Sequence, residues 1–448
     1  MNKSFIYLFF IFILIFSTSC SFDKKSGIWK GHEDDKRRAA ELENEQNREI
    51  LKIYSSEKFF LTEIAPVKKN KLTLPEKNLS WEMSGLNLQN HKGNIYLSGI
   101  EKKFIKKKIG KNKFSELKIK SSPLIYNNYI IFSDDTGSIY KVDNNGKKIW
   151  KINIYRKVYK KIYKNLSMTI KNDNIYIADN VGFIYAINLD FGKVNWIKNH
   201  GVPLKSNIKI FENKIYLINQ DNRILCLNST NGSIVWDIRT SKSFIKSQNL
   251  LSFAISENGD LLALNSSGDL LKIKASNGRI YWSLNVATFT FTQDTDFFVS
   301  SEIVINKHEI VFSSMDSVFS FNLKNGYLNW KQEINSKNTP IIDGNNIFLV
   351  SDNGYFINLD RKTGKIIWSV NIFKILKKKK QKTEVTGFIM GSGKIYVATL
   401  NGYLIVCSAT SGAIESIKKI GDQLIAKPII SNGSLYILTQ NSRLLGFR

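Results

Sequence analysis

The pentapeptide GKKIW, residues 146–150, recurs five more times along the chain with its glycine and tryptophan unchanged. The other copies stand at residues 192–196, 232–236, 278–282, 326–330 and 364–368. Successive tryptophans are 38 to 48 residues apart, and a seventh copy at 412–416 keeps the glycine but ends in Ser416. A repeat of this length is typical of solenoids and propellers.

Each repeat predicts four short strands. Residues 127–154, NNYIIFSDDTGSIYKVDNNGKKIWKINI, contain an apolar strand, a glycine turn, an alternating strand, a turn ending in Gly146 and a strand with Trp150 near its start. Period-two alternation bounded by Asn, Asp, Ser and Gly indicates β-strands. Four antiparallel strands in every repeat are the pattern of a β-propeller blade.

Two counts give the number of blades. The strand upstream of the glycine occurs eight times, from residues 127–137 to 432–442, whereas the glycine strand occurs seven times. The eighth repeat ends at Arg448 after its third strand, and residues 101–110, EKKFIKKKIG, fit the missing fourth strand with Phe104 near the tryptophan position. We therefore predict an all-β, eight-bladed β-propeller with four-stranded antiparallel blades, closed by an N-terminal strand that removes an open sheet edge.

The glycine and the tryptophan of each copy have structural roles in this interpretation. The glycine is expected to end a tight turn that needs positive φ. The indole four residues later is expected between neighbouring blades, where it can bury on the order of 150–250 Å². The residues predicted to dock the blades are Trp150, Trp196, Trp236, Trp282, Trp330 and Trp368.

The start of the chain predicts a lipoprotein signal peptide over residues 1–19. A basic residue, an apolar run over residues 5–16 and small residues precede Cys20, as in a secretory signal. This arrangement resembles a bacterial lipobox, which implies that Cys20 is lipidated. Because Ser21 follows the cysteine, the resemblance implies an outer-membrane protein that is lipid-anchored and faces the periplasm. A cleaved signal without lipid and an uncleaved anchor are the alternatives.

The rest of the chain divides at the start of a tryptophan-containing segment. Residues 20–78 are charged and poor in apolar periodicity, which predicts a lipidated tether that is partly disordered or helical. Residues 79–448 are predicted to form the propeller. The formal net charge of +27 would favour nucleic-acid binding in a cytosolic protein, but the export signal argues against a nucleic-acid partner.

No catalytic motif stands out among the repeats. The four histidines are scattered without ligand spacing, and the chain has no adjacent cysteines, no nucleophile elbow and no phosphate-binding loop. We therefore predict a protein that is not an enzyme and that holds no metal and no cofactor. The blades do resemble those of the quinoprotein alcohol dehydrogenases, which implies an alternative: a quinone-dependent dehydrogenase. That family uses a ring of adjacent cysteines and a calcium ion held by Glu, Asn and Asp.

A second resemblance covers more of the chain. The leader, the segment LSWEMSGLNLQNHKG at residues 79–93 and the eight repeats together resemble the BamB family, the propeller lipoproteins of the outer-membrane β-barrel assembly machinery. The resemblance implies a non-catalytic scaffold that binds the periplasmic POTRA domains of BamA through loops between blades. A periplasmic propeller that binds another protein or a glycan is the remaining alternative.

The matching loops are residues 241–248, SKSFIKSQ, and 292–301, TQDTDFFVSS. The partner-binding residues that the resemblance implies are Ser243, Phe244, Ile245, Lys246, Asp294, Asp296, Phe297 and Phe298. Apolar residues in such loops form either a docking patch or core beneath the loop. Binding of unfolded outer-membrane protein clients by strand addition to exposed outer strands is a further possibility.

Overall fold

The computed structural model describes residues 60–67, 69–114, 121–241, 251–290, 298–314, 316–374, 376 and 383–448. These residues belong to one compact unit, residues 59–448. They form eight four-stranded antiparallel sheets and two short 3₁₀ helices, Lys157–Lys161 and Val286–Phe289. The eight-bladed propeller that the repeats predict is therefore confirmed. No helix within the described ranges is long and apolar enough to cross a membrane.

The strands run in chain order around the ring, after β1 (Lys103–Lys108). Blade 1 consists of β2 (Leu124–Tyr126), β3 (Tyr129–Ser133), β4 (Ile139–Val142) and β5 (Lys148–Ile152). Blade 2 consists of β6 (Leu166–Lys171), β7 (Asn174–Asp179), β8 (Phe183–Asn188) and β9 (Val194–Asn199). Blade 3 consists of β10 (Lys209–Phe211), β11 (Lys214–Ile218), β12 (Arg223–Asn228) and β13 (Ile234–Arg239). Blade 4 consists of β14 (Ser252–Ile255), β15 (Asp260–Leu264), β16 (Asp269–Lys274) and β17 (Ile280–Asn285).

The second half of the ring repeats this arrangement. Blade 5 consists of β18 (Val304–Asn306), β19 (Glu309–Ser313), β20 (Val318–Asn322) and β21 (Leu328–Gln332). Blade 6 consists of β22 (Ile341–Asp343), β23 (Asn346–Val350), β24 (Tyr355–Asp360) and β25 (Ile366–Asn371). Blade 7 consists of β26 (Val385–Gly391), β27 (Lys394–Thr399), β28 (Tyr403–Ser408) and β29 (Ile414–Lys419). Blade 8 consists of β30 (Ile429–Ser431), β31 (Ser434–Leu438), β32 (Arg443–Phe447) and β1.

The ring closes as the sequence predicts. Strand β1 pairs antiparallel with β32, from Lys103 opposite Phe447 to Lys108 opposite Arg443. The register shifts between Lys103 and Ile105, so Phe104 is the extra residue of a β-bulge. Ile105, only 1% exposed, therefore occupies the position that the tryptophan has in blades 1–6, and Phe104 is one residue away from it.

Burial explains why inner and outer strands differ in sequence. Strand β11 of blade 3 is buried at four of its five positions, while β13 of the same blade is exposed or half-buried throughout. An inner strand is covered on both faces by the neighbouring blades, so it can be apolar at nearly every position. The outer strand has fewer neighbours and carries polar residues.

The segment of residues 71–98, here called the cap segment, crosses one end of the central channel. Thr73 bonds to Asp343 of blade 6, and Asn78 donates to the carbonyl of Ile430 in blade 8. Trp81 pairs with Ile125 of blade 1 and Met83 with Thr169 of blade 2. The backbone NH groups of Ile255 in blade 4 and Ile305 in blade 5 donate to the carbonyls of Leu88 and Gln89.

Two further contacts join the cap segment to the remaining blades, 3 and 7. Lys209 of blade 3 donates to the carbonyl oxygen of Ser84, and Ile95 pairs with Gly391 of blade 7. The cap segment therefore touches the first strand of all eight blades. Because most of these contacts lie where the first strand turns into the second, the loops between blades open at the opposite end of the channel.

The described part of the predicted tether is not free of the propeller. Residues 60–67, here called the strap, lie along blade 6, where Ile64 pairs with Ser369 of β25. Tyr355 of the same blade donates to the carbonyl of Leu61. Residues 69–78 continue onto blades 6, 7 and 8, since Asn70 donates to the carbonyl of Thr410. The predicted boundary at residue 79 therefore falls inside a segment that is already docked.

Candidate functional site

The six repeated tryptophans lie at the seams between blades. Each indole packs against the turn glycine of the next blade, in the pairs Trp150–Gly192, Trp196–Gly232, Trp236–Gly278, Trp282–Gly326, Trp330–Gly364 and Trp368–Gly412. Four of the indole NH groups, from Trp150, Trp196, Trp236 and Trp330, also donate to a backbone carbonyl of that blade at 2.9–3.1 Å. The tryptophans therefore have a structural role between blades. The surfaces that remain for partners are the two ends of the ring and its outer edge.

The loop from blade 3 to blade 4 has a fixed base. Thr240 Oγ1 donates to the carbonyl of Asn222 at 2.7 Å, and Asn222 Nδ2 donates to the carbonyl of Ser241 at 3.0 Å. Asn265 of blade 4 donates to Thr240 Oγ1 at 2.9 Å. Turns of two blades therefore hold the first residues of the predicted docking loop.

An ion pair strengthens the same base. Arg223 Nε lies 2.5 Å from Asp237 Oδ2. The hydrogen bond between the two side chains raises the pKa of Arg223 and lowers the pKa of the Asp237 carboxyl. Because both side chains are partly exposed, the pair fixes geometry more than it adds stability.

The loop from blade 4 to blade 5 begins and ends in ordered structure. Asn285 caps the 3₁₀ helix by accepting a hydrogen bond from the NH of Ala287, and Phe289 at its end is exposed. Phe298, at the far side of the loop, is only 9% exposed and packs with Val286 and Ile303. Of the two interpretations of this loop's apolar residues, Phe298 follows the core one.

A groove separates the two loop bases. It has a volume of about 480 Å³ and lies between Arg239, Thr240 and Ser241 on one side and Ser283, Leu284 and Asn285 on the other. The other predicted contact residues, Ser243, Phe244, Ile245, Lys246, Asp294, Asp296 and Phe297, and the lipidation residue Cys20, lie outside the described residues. The structure thus places the roots of both predicted loops on either side of one groove.

Apolar side chains are also exposed on the outer strands of blades 3, 4 and 5. They come in pairs before the tryptophan, with 36% to 73% of each side chain exposed: Ile234 and Val235, Ile280 and Tyr281, Tyr327 and Leu328. Sequence patterns alone did not identify them, although two adjacent apolar residues between the glycine and the tryptophan interrupt the alternation of a strand. In blades 3 and 4 the second residue of the pair, Val235 or Tyr281, is the extra residue of the bulge, whereas in blade 5 it is Asn329.

In blade 6, an extended segment of the chain pairs with the edge of the outer strand. The strap lies along β25, where Ile64 and Ser369 exchange backbone hydrogen bonds of 3.0 Å in both directions. Phe60 packs edge-on against Tyr355 of blade 6, and it borders the same core cluster as Ile366, which is the counterpart of Ile234. Within the described ranges, β13, β17 and β21 have no strand beyond them.

Solved structures share this architecture. BamB from Moraxella catarrhalis aligns with a TM-score of 0.59 at 14% identity, covering 73% of this chain and 94% of that one. The quinohemoprotein alcohol dehydrogenase of Comamonas testosteroni aligns with a TM-score of 0.64 at 10% identity, covering 82% and 80%. At such low identities these likenesses establish the fold.

The residues present do not fit the quinone and calcium of the dehydrogenases. Cys226 and Cys407 are buried free thiols in blades 3 and 7. The part of the chain that the structure describes has no group of three His, Cys, Asp or Glu residues placed to hold a metal ion. Glu302, a carboxylate on the channel axis, already accepts hydrogen bonds from Ser84, Asn207, Thr339 and Lys427.

Sequence similarity identifies the family of this chain, which similarity of fold alone does not. The "Outer membrane protein assembly factor BamB" of Yersinia pestis is 22% identical over 330 residues, which are 71% of this chain and 81% of the relative. The family model described as "Outer membrane protein assembly factor BamB" matches residues 135–370, a little more than half of the chain. This chain therefore belongs to the BamB family.

Proposed function

We propose that this protein is a non-catalytic scaffold in the assembly of outer-membrane β-barrel proteins. The observation that carries the proposal is the family match over residues 135–370, a range that includes both predicted docking loops. The relatives are named as assembly factors of outer-membrane proteins.

The proposed partner is the periplasmic POTRA region of a BamA-type protein, bound by loops 241–248 and 292–301. Three features support this assignment. Both loops emerge from bases held by hydrogen bonds, at Ser241 and at the Asn285-capped 3₁₀ helix. A groove runs between the bases, and Phe244 and Ile245 supply the kind of apolar side chains that anchor an interface.

The proposed location is the periplasmic side of the outer membrane. The leader over residues 1–19 would export the chain, and a lipid on Cys20 would hold it at the membrane. Residues 21–59 would then connect the lipid to the strap on blade 6.

Co-purification from detergent-solubilised envelopes tests the proposal. The wild-type chain should retain a BamA-type barrel protein at about equal amounts after washing in 0.15 M salt. If mass spectrometry finds no such protein with the purified full-length chain, the assembly role is wrong. Labelling of growing cells with a palmitate analogue tests the anchor separately, since a Cys20→Ala variant should lose the label.

A second candidate role rests on the strap. Because an extended segment of this chain already pairs with β25, the open outer strands of blades 3–5 could accept an extended segment of an unfolded client in the same way. The exposed apolar pairs on β13, β17 and β21 would then contact alternate side chains of the client. This role is compatible with the scaffold role, because it uses the outer edge of the ring.

A further inference from the structure

The central channel contains a buried cluster of charged side chains. Lys92 comes from the cap segment, Lys209 from blade 3, Glu302 from the strand start of blade 5 and Lys427 from that of blade 8. With the three ammonium groups protonated, one carboxylate faces three positive charges, so the cluster carries a net charge of +2. A buried charge excess of this size is costly unless something compensates it.

Glu302 is the one carboxylate of the cluster, and all of its hydrogen-bond acceptor positions are occupied. Its Oε1 accepts from Asn207 Nδ2 at 2.7 Å and from Ser84 Oγ at 3.1 Å. Its Oε2 accepts from Lys427 Nζ at 2.7 Å and from Thr339 Oγ1 at 3.1 Å. A carboxylate has about four acceptor positions, and all four are used.

Lys209 is also saturated. Its Nζ donates to the carbonyl oxygens of Ser84 and Asn87 at 2.8 and 2.7 Å and to Asn90 Oδ1 at 2.7 Å. These three bonds use all three ammonium protons and fasten the cap segment to blade 3. The three partners are neutral, so they do not compensate the positive charge of the protonated form of Lys209.

Lys92 is the member whose ammonium group makes no hydrogen bond to the described protein. It is 9% exposed, and no acceptor among the described residues receives a hydrogen bond from its ammonium group. It lies two residues after Asn90, whose Nδ2 donates to the carbonyls of Phe253 and Ile303, so the cap holds it over the cluster. Lys427 has one proton left, because its Nζ donates to Glu302 and to Thr339.

We propose that the axial channel binds one small divalent oxyanion of the phosphate or sulfate class between Lys92 and Lys427. Two negative charges would neutralise the cluster. The three free donors of Lys92 and the last donor of Lys427 would supply hydrogen bonds to the anion's oxygens. This site is independent of the docking role, because none of its residues belongs to the two loops.

Access to the site comes from the loop end of the channel. The cap segment closes the other end, and the Lys427 side chain is 28% exposed while that of Glu302 is 6% exposed. Glu302, Thr339 and Lys427 each stand two residues before the first strand of a blade, at the end where the inter-blade loops open. An inorganic anion can therefore reach Lys427 from the loop end of the channel.

Calorimetric titration of the full chain tests this site. The protein is held in a chloride buffer at pH 7 and titrated with inorganic phosphate, sulfate and acetate in separate runs. We expect saturable binding of one phosphate or sulfate, with acetate at least tenfold weaker, and a melting temperature that rises with anion concentration. Lys92→Met should weaken phosphate binding about tenfold or more, whereas Lys92→Arg should retain most of it.

Lys274→Met is the matched control, because Lys274 is an exposed lysine on β16. It should bind phosphate as the wild-type chain does. The proposal is overturned if the wild-type chain shows no saturable heat and no rise in melting temperature. It is also overturned if Lys92→Met and Lys274→Met bind equally, since the anion would then occupy the basic surface. If acetate and phosphate bind equally well, the assignment of a divalent anion is wrong.

Discussion

Gly412 of blade 7 lies directly against the indole of Trp368 in blade 6. A Cβ built on Gly412 would stand 2.8 Å from the indole Cζ3, and the backbone there has a φ of +73°. Trp368 is completely buried. The six repeat glycines from Gly192 to Gly412 are thus each packed against the tryptophan of the previous blade, whereas Gly146 of the first copy faces Lys107 and Ile105 of the closing strand.

Gly412→Ala should destabilise the propeller by about 2–4 kcal/mol. Positive φ costs an alanine about 1 kcal/mol, and the clash with the buried indole adds about 1–3 kcal/mol. Gly201→Ala is the control, because Gly201 has a φ of +69° with no atom near its Cβ position. Denaturant unfolding measures both, and equal losses of stability would show that the seam contributes nothing.

The closing strand carries the second prediction. Ile105 is buried in blade 8, while its neighbour Lys106 is exposed on the same strand. Ile105→Asp places an unpaired carboxylate in the core and should cost on the order of 3 kcal/mol or more, whereas Lys106→Asp should cost less than about 0.5 kcal/mol. Thermal unfolding of both variants checks this, and similar melting temperatures would mean that β1 does not hold the ring closed.

The repeats made the fold predictable because the same glycine–tryptophan contact recurs at six of the eight seams. A blade cannot bury its faces alone, so most repeats carry the same glycine and tryptophan. Counting strands then gave the closure by β1. Phe104 was predicted near the tryptophan position and lies one residue before it, because a β-bulge precedes that position and the sequence does not say which of two adjacent apolar residues is the extra one.

The axial cluster and the strap could not be predicted in this way. Glu302 and Lys427 are 125 residues apart and become neighbours only when the ring has closed. Nothing in the local pattern of either strand marks a residue that faces the axis. The strap lacks apolar periodicity, and its pairing with β25 depends on an edge that blade 6 provides.

Substitutions in the first docking loop test the partner surface. Phe244→Asp combined with Ile245→Asp should reduce recovery of the BamA-type protein at least fivefold in the co-purification, because charged side chains do not fit an apolar anchor site. Val158→Asp is the control, since Val158 is an exposed apolar residue in the loop region between blades 1 and 2. The double variant should keep the melting temperature of the wild-type chain while it loses the BamA-type protein. Unfolding of the double variant would instead place Phe244 and Ile245 in the core.

Stability should rise with pH between about 7 and 9.5. Burial, with the nearby Lys427, lowers the pKa of Lys92 to about 8, and burial lowers the pKa of Lys209 to about 7. The unfolded chain, with lysine pKa values near 10.5, therefore binds more protons than the folded chain in this range, and the free energy of unfolding rises with pH. Above pH 10 the raised pKa values of Tyr140 and Tyr216 act in the opposite direction.

Glu302 changes stability with the same sign as the lysines but in a lower pH range. Burial alone would raise its pKa, but Lys427 and Lys92 hold the pKa well below its usual range. Its contribution is present above about pH 4.5 and is lost as the pH falls, so it does not affect the range from 7 to 9.5. Lys92→Met should reduce the rise in unfolding free energy by about 1–2 kcal/mol, measured by urea unfolding in phosphate-free buffer. An unchanged slope would show that Lys92 is not perturbed, and Lys274→Met should leave the slope as in wild type.

Strand addition is tested by site-specific cross-linking at equivalent positions of two outer strands. A photoreactive amino acid at Tyr281, on the open strand β17, should cross-link an unfolded outer-membrane protein diluted from urea. The same residue at Ile367 of β25 is the control, because Leu72 packs nearby and the strap pairs with this strand. We expect at least fivefold more adduct at residue 281, since only an open edge offers unpaired backbone NH and carbonyl groups. Equal yields at the two positions, or none at residue 281, would mean that clients do not bind the blade edges.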